Sequence, residues 1–255
     1  MADALLKIEG LTKRFGGVVA SDNIALEVYR DELHAVIGPN GAGKTTLIGQ
    51  LTGEILPNAG RIFFNGTDIT GMPVHARSAL GLARSFQITS LFLDFTALDN
   101  VALAVQAHAG HSFRFWRNAR RDERLREPAL VSLARVGLRE RADVIVRNLS
   151  HGEQRQLEIA MALATKPRLL LLDEPMAGMG PEESARMVET LRELKRELPI
   201  LLIEHDMEAV FALADRITVL VYGRVIATGI PEVIRANAEV RSAYLGEEEE
   251  EEIRA

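Results

Sequence analysis

The fold of this 255-residue chain is decided by residues 38–46, which read Gly38-Pro39-Asn40-Gly41-Ala42-Gly43-Lys44-Thr45-Thr46. They match the pattern G-x-x-x-x-G-K-[ST], in which a glycine-rich loop turns successive backbone N–H groups toward an anion. The apolar run 33–37 predicts a buried strand before the loop, and residues 45–51 predict a helix after it. The pattern directs Lys44 to the terminal phosphates and the Thr45 hydroxyl to Mg²⁺. This stretch therefore predicts a binding site for a nucleoside triphosphate.

The composition is that of a globular protein, since 47% of the residues are hydrophobic. No apolar run approaches the roughly 20 residues that cross a bilayer. Residues 1–4 lack the basic and apolar regions of an export signal, so we expect a cytosolic chain. The absence of cysteine excludes disulfides, thiol catalysis and cysteine metal sites.

The net charge of −6 is concentrated at one end of the chain. Glu247–Glu252 are six consecutive glutamates, and without them 30 acidic residues stand against 30 basic ones. A neutral body argues against a general nucleic-acid binder, which usually has a basic excess. We interpret the acidic run as a solvated, disordered terminus.

Periodicity along the chain predicts an α/β protein. Alternating apolar residues predict antiparallel strands at 6–9, 24–28 and 61–64, and a helical pattern covers about 96–141. From residue 152 onward, helices and apolar strands alternate, which is typical of a parallel sheet with helices on both faces. The predicted segments are a helix to 165, a strand at 168–172, a helix at 181–198, a strand at 200–204, a helix to 213, and strands at 216–222 and 225–228.

The helical segment contains a cluster of arginines, for which two interpretations stay open. The six residues are Arg114, Arg117, Arg120, Arg121, Arg124 and Arg126. They form either a solvated helix with local acidic partners or a contact with anionic lipid headgroups or acidic loops of a membrane partner.

A second motif, Leu169-Leu170-Leu171-Leu172-Asp173-Glu174-Pro175, places two carboxylates at the end of a buried parallel strand. Ligands of open α/β sheets collect at the carboxyl ends of the strands. Asp173 can hold Mg²⁺ there, usually through water, and Glu174 can polarise the water that attacks the γ-phosphate.

A third motif, Leu149-Ser150-His151-Gly152-Glu153-Gln154, precedes a predicted helix and begins 24 residues before Asp173. Ser150 is a typical N-cap, and Gly152 leaves a backbone N–H open to a phosphate at the helix N-terminus. Together with the two motifs above, this stretch resembles the signature sequence LSGGQ of the ATP-binding-cassette ATPases.

Three single residues are similar to functional residues of the same family. Gln87 resembles the glutamine that contacts Mg²⁺ or the lytic water, and His205, 31 residues after Glu174, resembles the switch histidine that contacts the γ-phosphate. Phe15 resembles the aromatic residue that stacks on adenine, with a core phenylalanine as the alternative. The other five histidines are interpreted as surface residues or satisfied core residues.

More closely, the chain resembles the ATPase subunits of importers for branched-chain amino acids, and their relatives for urea and short amides. The similarity runs from Gly10-Leu11-Thr12-Lys13-Arg14-Phe15 to Ala243-Tyr244-Leu245-Gly246. It implies one ATPase domain over 1–246, with a nucleotide-binding core at 1–87 and 160–246, a helical subdomain at about 88–159, and an acidic tail at 247–255. The fold class implied is a P-loop NTPase core with a parallel sheet, an N-terminal antiparallel β layer and an inserted α-helical subdomain.

The resemblance also implies a mechanism and partners. ATP with Mg²⁺ is held between the P-loop of one cassette and the signature of a second, identical or related cassette. The pair drives two integral-membrane permease subunits from the cytoplasmic face of the inner membrane, and an external solute-binding protein delivers the solute. Nucleic acid is not an expected partner. Two alternatives from other classes are a DNA-maintenance ATPase and a soluble assembly or regulatory ATPase.

Three positions depart from the general family pattern. His151 and Glu153 stand in place of the second-half Gly and Gln of LSGGQ, while Ser150 and Gly152 are kept. Gly180 stands where the D-loop of the family usually has Asp or Asn, so this position provides no carboxylate to link two active sites.

Overall fold

The computed structural model describes residues 3–85, 91–108 and 122–243. It divides into two units, the first formed by Met1–Arg77 and Pro199–Ala255 and the second by Ser78–Leu198. Gln87, the four arginines Arg114, Arg117, Arg120 and Arg121, and the run Glu247–Glu252 lie outside the described residues. The subdomain limits expected from the sequence stay a prediction.

The first unit contains the expected antiparallel layer. Its strands are β1 (Leu6–Phe15), β2 (Val18–Val28), β4 (Ala59–Phe64) and β5 (Thr67–Asp68). They are hydrogen-bonded in the order β2-β1-β4-β5, with every neighbouring pair antiparallel. Leu6 and Ile8 are buried and Glu9 is exposed, as the alternating pattern predicts for a sheet with one covered face.

The other strands of the first unit form the sheet that leads into the P-loop. They are β3 (Leu33–Ile37), β8 (Ile200–Ile203), β9 (Arg216–Val221) and β10 (Arg224–Gly229). β3 pairs in parallel with β8 and β9, and β10 is antiparallel to β9. β3 and β8 are buried along their whole length, which explains their continuous apolar sequence.

The helix that follows the P-loop is held at its far end by a buried cation. The helices around this sheet are α1 (Lys44–Thr52), α2 (Val74–Ala79), α7 (Met207–Leu213) and α8 (Pro231–Ala236). Arg77 is 1% exposed, and its guanidinium donates to the carbonyls of Gln50 (2.6 Å) and Leu51 (2.7 Å) at the end of α1. It also donates to Thr70 O and Met72 O at 2.9 Å each. Because the last carbonyls of a helix lack partners within the helix, Arg77 acts as a C-terminal cap. Burial lowers the pKa of this guanidinium.

The described residues of the second unit, 78–85, 91–108 and 122–198, form a parallel strand pair and four α-helices. β6 (Leu82–Arg84) pairs in parallel with β7 (Leu169–Asp173). The helices are α3 (Ala97–His108), α4 (Glu123–Arg135), α5 (His151–Ala164) and α6 (Pro181–Leu194), with 3₁₀ turns at Arg139–Arg141 and Val146–Asn148. α3, α4 and α5 pack on one another. The described parts of the segment predicted to be helical at about 96–141 contain α3 and α4. In the described part of the chain, no helix has the length and apolar character needed to cross a membrane.

Several predicted boundaries were wrong by one to six residues. The strand predicted at 6–9 is β1 (Leu6–Phe15), and the strand predicted at 24–28 is β2 (Val18–Val28). α6 ends at Leu194 rather than at 198, and Pro199 accounts only for Leu198 lying outside the helix, because it disfavours helical geometry at the residue before it. β8 ends at Ile203, and Glu204 leaves the strand so that its carboxylate accepts hydrogen bonds from the following N–H groups.

Candidate nucleotide-binding site

The P-loop connects β3 to α1 and is shaped by close approach of other backbone segments. A Cβ at Gly38 would lie 2.0 Å from the carbonyl oxygen of Leu220. Gly43 has φ +102°, and a Cβ there would lie 2.3 Å from the carbonyl oxygen of Ala20. Only glycine fits these two positions, so the loop conformation is fixed by the fold before any ligand binds.

Lys44 lies inside the loop that it is expected to serve. It is 8% exposed, and its Nζ donates to the carbonyl of Gly38 and, at 3.0 Å, to the carbonyl of Pro39. Gly43, at the N-cap of α1, has no side chain that could accept from the first N–H groups of the helix. A buried ammonium beside a helix N-terminus is a favourable environment for a phosphate.

Each unit contains one described oxygen ligand that the sequence predicts for Mg²⁺. Thr45 is exposed in the first turn of α1, and Asp173 is buried at the end of β7. Within residues 3–85, 91–108 and 122–243, no group of three or more acidic or histidine side chains could hold a metal alone. Mg²⁺ usually takes one or two protein oxygens and completes its shell with phosphates and water, so either oxygen ligand by itself is compatible with Mg²⁺ that is bound to a nucleotide.

Phe15 ends β1 and is 50% exposed, so the alternative of a core phenylalanine is wrong. The ammonium of Lys13 lies 5.1 Å from the ring centroid. An exposed aromatic face held by a strand can stack on a nucleobase.

His205 projects from the end of β8, and a buried carboxylate holds the backbone beneath it. Its side chain is 61% exposed. Glu204 is fully buried and accepts from the N–H groups of His205 (3.0 Å) and Asp206 (3.4 Å). Glu204 was not recognised from the sequence as a positioning residue, although an acidic residue directly after an apolar strand was a signal for it.

In the second unit, β7 delivers the two predicted carboxylates in different environments. Asp173 is 3% exposed and accepts a hydrogen bond from Arg84 Nη2 at 3.1 Å. Glu174 is half-buried and has φ +49°, a left-handed conformation that non-glycine residues adopt mainly where function or packing imposes it. The contact of Arg84 with Asp173 was also missed, because the two residues are 89 positions apart.

The signature turn, residues 149–154, forms the predicted N-terminus of α5. The N–H of Glu153 donates to Ser150 Oγ (3.2 Å), and the N–H of Ser150 donates to Glu153 Oε2 (2.8 Å), which completes a capping box. Arg141 Nε donates to Glu153 Oε1 at 2.8 Å. Glu153, one of the departures from the family pattern, therefore stabilises the turn.

The turn also contacts the segment that begins α6. Ser150 Oγ donates to Glu183 Oε1 at 2.9 Å, and a Cβ at Gly152 would lie 2.9 Å from that carboxyl group. A Cβ at Gly178 would lie 3.5 Å from the His151 ring. Glu183 was not recognised from the sequence, which gave no signal for it.

The remaining described histidines have the expected ordinary settings. His34 is buried, and its Nε2 lies 2.8 Å from Thr218 Oγ1. His75, His108 and His151 are exposed, and His111 lies outside the described residues.

Comparison with known families finds two matches. Residues 21–177 match the family described as ABC transporter, and residues 224–250 match the family described as branched-chain amino acid ATP-binding cassette transporter.

Known proteins similar to the chain are aligned over almost its full length. It is 40% identical to the high-affinity branched-chain amino acid transport ATP-binding protein LivG of Escherichia coli K12, covering 97% of this chain and 100% of that protein. It is 41% identical to the protein of the same description, BraF, of Pseudomonas aeruginosa, with the same coverage. A crystal structure of the ADP conformation of an ATP-binding cassette of an ABC transporter superposes with a TM-score of 0.85 at 28% identity, covering 96% of this chain and 100% of that one.

Proposed function

We propose, from the premise that this chain belongs to the ABC transporter family, that it is the ATP-hydrolysing subunit of an importer for branched-chain amino acids. The observation that carries the proposal is the P-loop, with Lys44 buried inside it, in a chain that is similar along 97% of its length to transport proteins of that description. These relatives favour transport over the DNA-maintenance and soluble regulatory alternatives.

The residues of the first unit would bind the nucleotide. The backbone amides of 38–46 would hold the β- and γ-phosphates, and Lys44 would exchange the carbonyls of Gly38 and Pro39 for phosphate oxygens. Phe15 would stack on adenine through its exposed face. His205 would contact the γ-phosphate, since its side chain already projects from the end of β8.

The residues of the second unit would carry the chemistry. Glu174 would accept a proton from the attacking water, and the fixed charges around the phosphates would stabilise the charge that develops. Asp173 and Gln87 of this unit, with Thr45 of the first unit, would hold Mg²⁺, which when bound neutralises charge on the phosphates. Arg84 would hold the Asp173 carboxylate in place through the hydrogen bond described above.

A single chain would contribute half of each active site. The signature turn with Ser150 and Gly152 would cover the ATP bound to a second cassette, identical or related, and receive the same cover in return. The pair would act on two integral-membrane permease subunits at the cytoplasmic face of the membrane. An external solute-binding protein would supply the amino acid.

The catalytic assignment is tested by Glu174→Gln. Loss of the general base should lower kcat for ATP hydrolysis by about 100-fold or more while ATP binding is kept. The measurement is steady-state ATPase activity together with equilibrium ATP binding. Glu193→Gln, which removes an exposed carboxylate from the same unit, is the matched control and should behave as wild type. Turnover at the wild-type rate in Glu174→Gln would contradict the assignment.

The solute is tested in membrane vesicles that contain the complete complex. ATP-dependent uptake of leucine, isoleucine or valine should be lost in the Glu174→Gln complex and kept with Glu193→Gln. Uptake of urea or a short amide without uptake of these amino acids would replace the proposed solute. Salt-sensitive DNA binding by the purified chain, with no transport, would favour the DNA-maintenance alternative.

A further inference from the structure

The hydroxyl of the signature serine is already engaged by an anion. Ser150 Oγ accepts from the N–H of Glu153, and its hydrogen points to Glu183 Oε1 at 2.9 Å. A phosphate that needs this hydrogen bond must compete with the Glu183 carboxylate for it. The serine is therefore not open to a ligand in the structure as it stands.

The same carboxylate covers the glycine of the turn. A Cβ on Gly152 would lie 2.9 Å from both the carboxyl carbon and Oε1 of Glu183. Glu183 thus occupies the space over Gly152 where a ligand would approach the N-terminus of the 14-residue helix α5. A carboxylate and a phosphate oxygen are both anions, and they cannot share this space without repulsion.

The local charges make Glu183 displaceable. Among the described residues no lysine or arginine forms an ion pair with Glu183. Glu183 belongs to the first turn of α6, whose dipole favours its negative charge in either orientation of the side chain and therefore does not tie it to Ser150. A cavity of about 740 Å³, lined by Ser150, Gly152, Glu183 and Arg186 among others, lies beside the turn. Arg186 is exposed and follows Glu183 by three positions on α6, within reach of a helical i,i+3 pair.

We propose that Glu183 is a resident anion that occupies the phosphate position of the signature turn and swings toward Arg186 when the ATP of the partner cassette arrives. The proposal rests on the proposed function, because it needs ATP to be shared between two cassettes. Glu183 would be a positioning residue that sets the ATP concentration at which the pair closes. It would place a carboxylate near the composite site although Gly180 provides none.

The test uses the complete complex, purified through a tag on this chain, and measures ATPase rate against ATP concentration. Glu183→Gln keeps the size of the side chain and removes its charge, so the KM for ATP should fall by about three- to tenfold while kcat is not reduced. Glu182→Gln, a matched change at the neighbouring exposed position, should leave KM unchanged. Arg186→Gln should raise KM by about twofold, since the displaced carboxylate loses its partner.

Salt dependence separates an electrostatic role from a structural one. The KM ratio between wild type and Glu183→Gln should shrink toward one as KCl rises from about 0.05 to about 0.5 M, because added salt screens the repulsion. A ratio that does not change with salt would overturn the electrostatic proposal.

Other results also contradict the proposal. An unchanged or raised KM, or a lowered kcat at constant KM, in Glu183→Gln would show that the carboxylate does not compete with phosphate. An equal fall in KM in Glu182→Gln would assign the effect to surface charge in general. A wild-type complex without ATPase activity would instead overturn the proposed function. The ATPase rate of the wild-type complex is therefore measured first, before the Glu183 variants are compared with it.

Discussion

The P-loop and the signature turn both begin a helix, and each satisfies its own polar groups in a different way. In the P-loop a cation, Lys44, donates to the carbonyls of Gly38 and Pro39. In the signature turn a hydroxyl, Ser150, donates to the carboxylate of Glu183. A phosphate that enters the P-loop displaces neutral carbonyls, whereas one that reaches the signature turn must displace a full negative charge. The P-loop therefore favours phosphate binding, whereas the Glu183 carboxylate at the signature turn opposes phosphate binding.

The helices behind the two turns differ as well. The last turn of α1 is capped by the buried cation Arg77, which complements the negative end of the helix. α5 contains the buried carboxylate Glu158, which pairs with Arg155 at 3.0 Å while its Oε1 has no hydrogen-bond partner in the described part of the chain. The helix of the P-loop is thus held by a side chain at its C-terminal end, whereas the helix of the signature turn is held by a capping box at its N-terminal end and contains a buried carboxylate that is only partly paired.

The largest effect on stability is expected from removing Arg77, which caps the C-terminal end of α1. Arg77→Met should lower the free energy of unfolding of the chain by about 4 kcal/mol, because four buried or part-buried backbone carbonyls lose their hydrogen-bond donor. For a chain of this size that corresponds to a fall in Tm of roughly 8–16 °C, measured by calorimetry. Arg61→Met, at an exposed position of β4, is the control and should shift Tm little. Equal shifts in the two variants would show that Arg77 does not anchor α1.

A smaller effect is expected from substituting one glycine in each of the two turns. Gly43→Ala should weaken ATP binding by about 100-fold, because its Cβ meets the backbone carbonyl of Ala20 and φ is +102°. Gly152→Ala should leave ATP binding to the isolated chain unchanged and lower the ATPase rate of the complex by about tenfold. Its Cβ meets the Glu183 side chain, at 2.9 Å from the carboxyl group and 3.3 Å from Cβ, and the carboxyl group can move. Titration calorimetry and steady-state kinetics measure the two quantities.

One result for the two glycine variants would contradict this prediction. If Gly152→Ala impaired ATP binding to the isolated chain as strongly as Gly43→Ala, the signature turn would be part of the primary nucleotide site. The distinction between the P-loop, which favours phosphate binding, and the signature turn, which opposes it, would then be wrong.

The smallest expected effect concerns pH and α5. Burial raises the pKa of Glu158 above its ordinary value of 4.5, and the hydrogen bond and charge of Arg155 only partly oppose this. A carboxyl group with a raised pKa stabilises the fold while it is protonated, and this stability is lost as pH rises through the folded pKa. Glu158→Gln, which resembles the protonated form, should therefore raise Tm by roughly 1–3 °C at neutral pH. The gain should vanish below pH 4.5, and a gain that persisted there would exclude titration of Glu158 as its cause.

Much of the fold and part of the candidate site could be predicted because their signals are local. The apolar run 33–37 predicted β3, the glycine spacing predicted the P-loop, and Ser150 as an N-cap predicted the start of α5. Each of these depends on residues a few positions apart, whose mutual geometry is set by the backbone itself. The interpretation of Phe15 stayed open because an aromatic residue at a strand end is compatible with either side of a sheet.

The sequence by itself determined the phosphate loop, the alternation of strands and helices, and the membership of the ABC transporter family that the comparisons confirmed. Only the tertiary structure decided which charges lie beside these motifs. It brings into contact residues that are distant in the sequence. Arg77 contacts Gln50 across 27 positions, Glu183 contacts Ser150 across 33 positions, and Arg84 contacts Asp173 across 89 positions. The physical reason is that such contacts depend on how whole elements pack, and no local pattern of residues encodes the distance between two side chains so far apart in the chain.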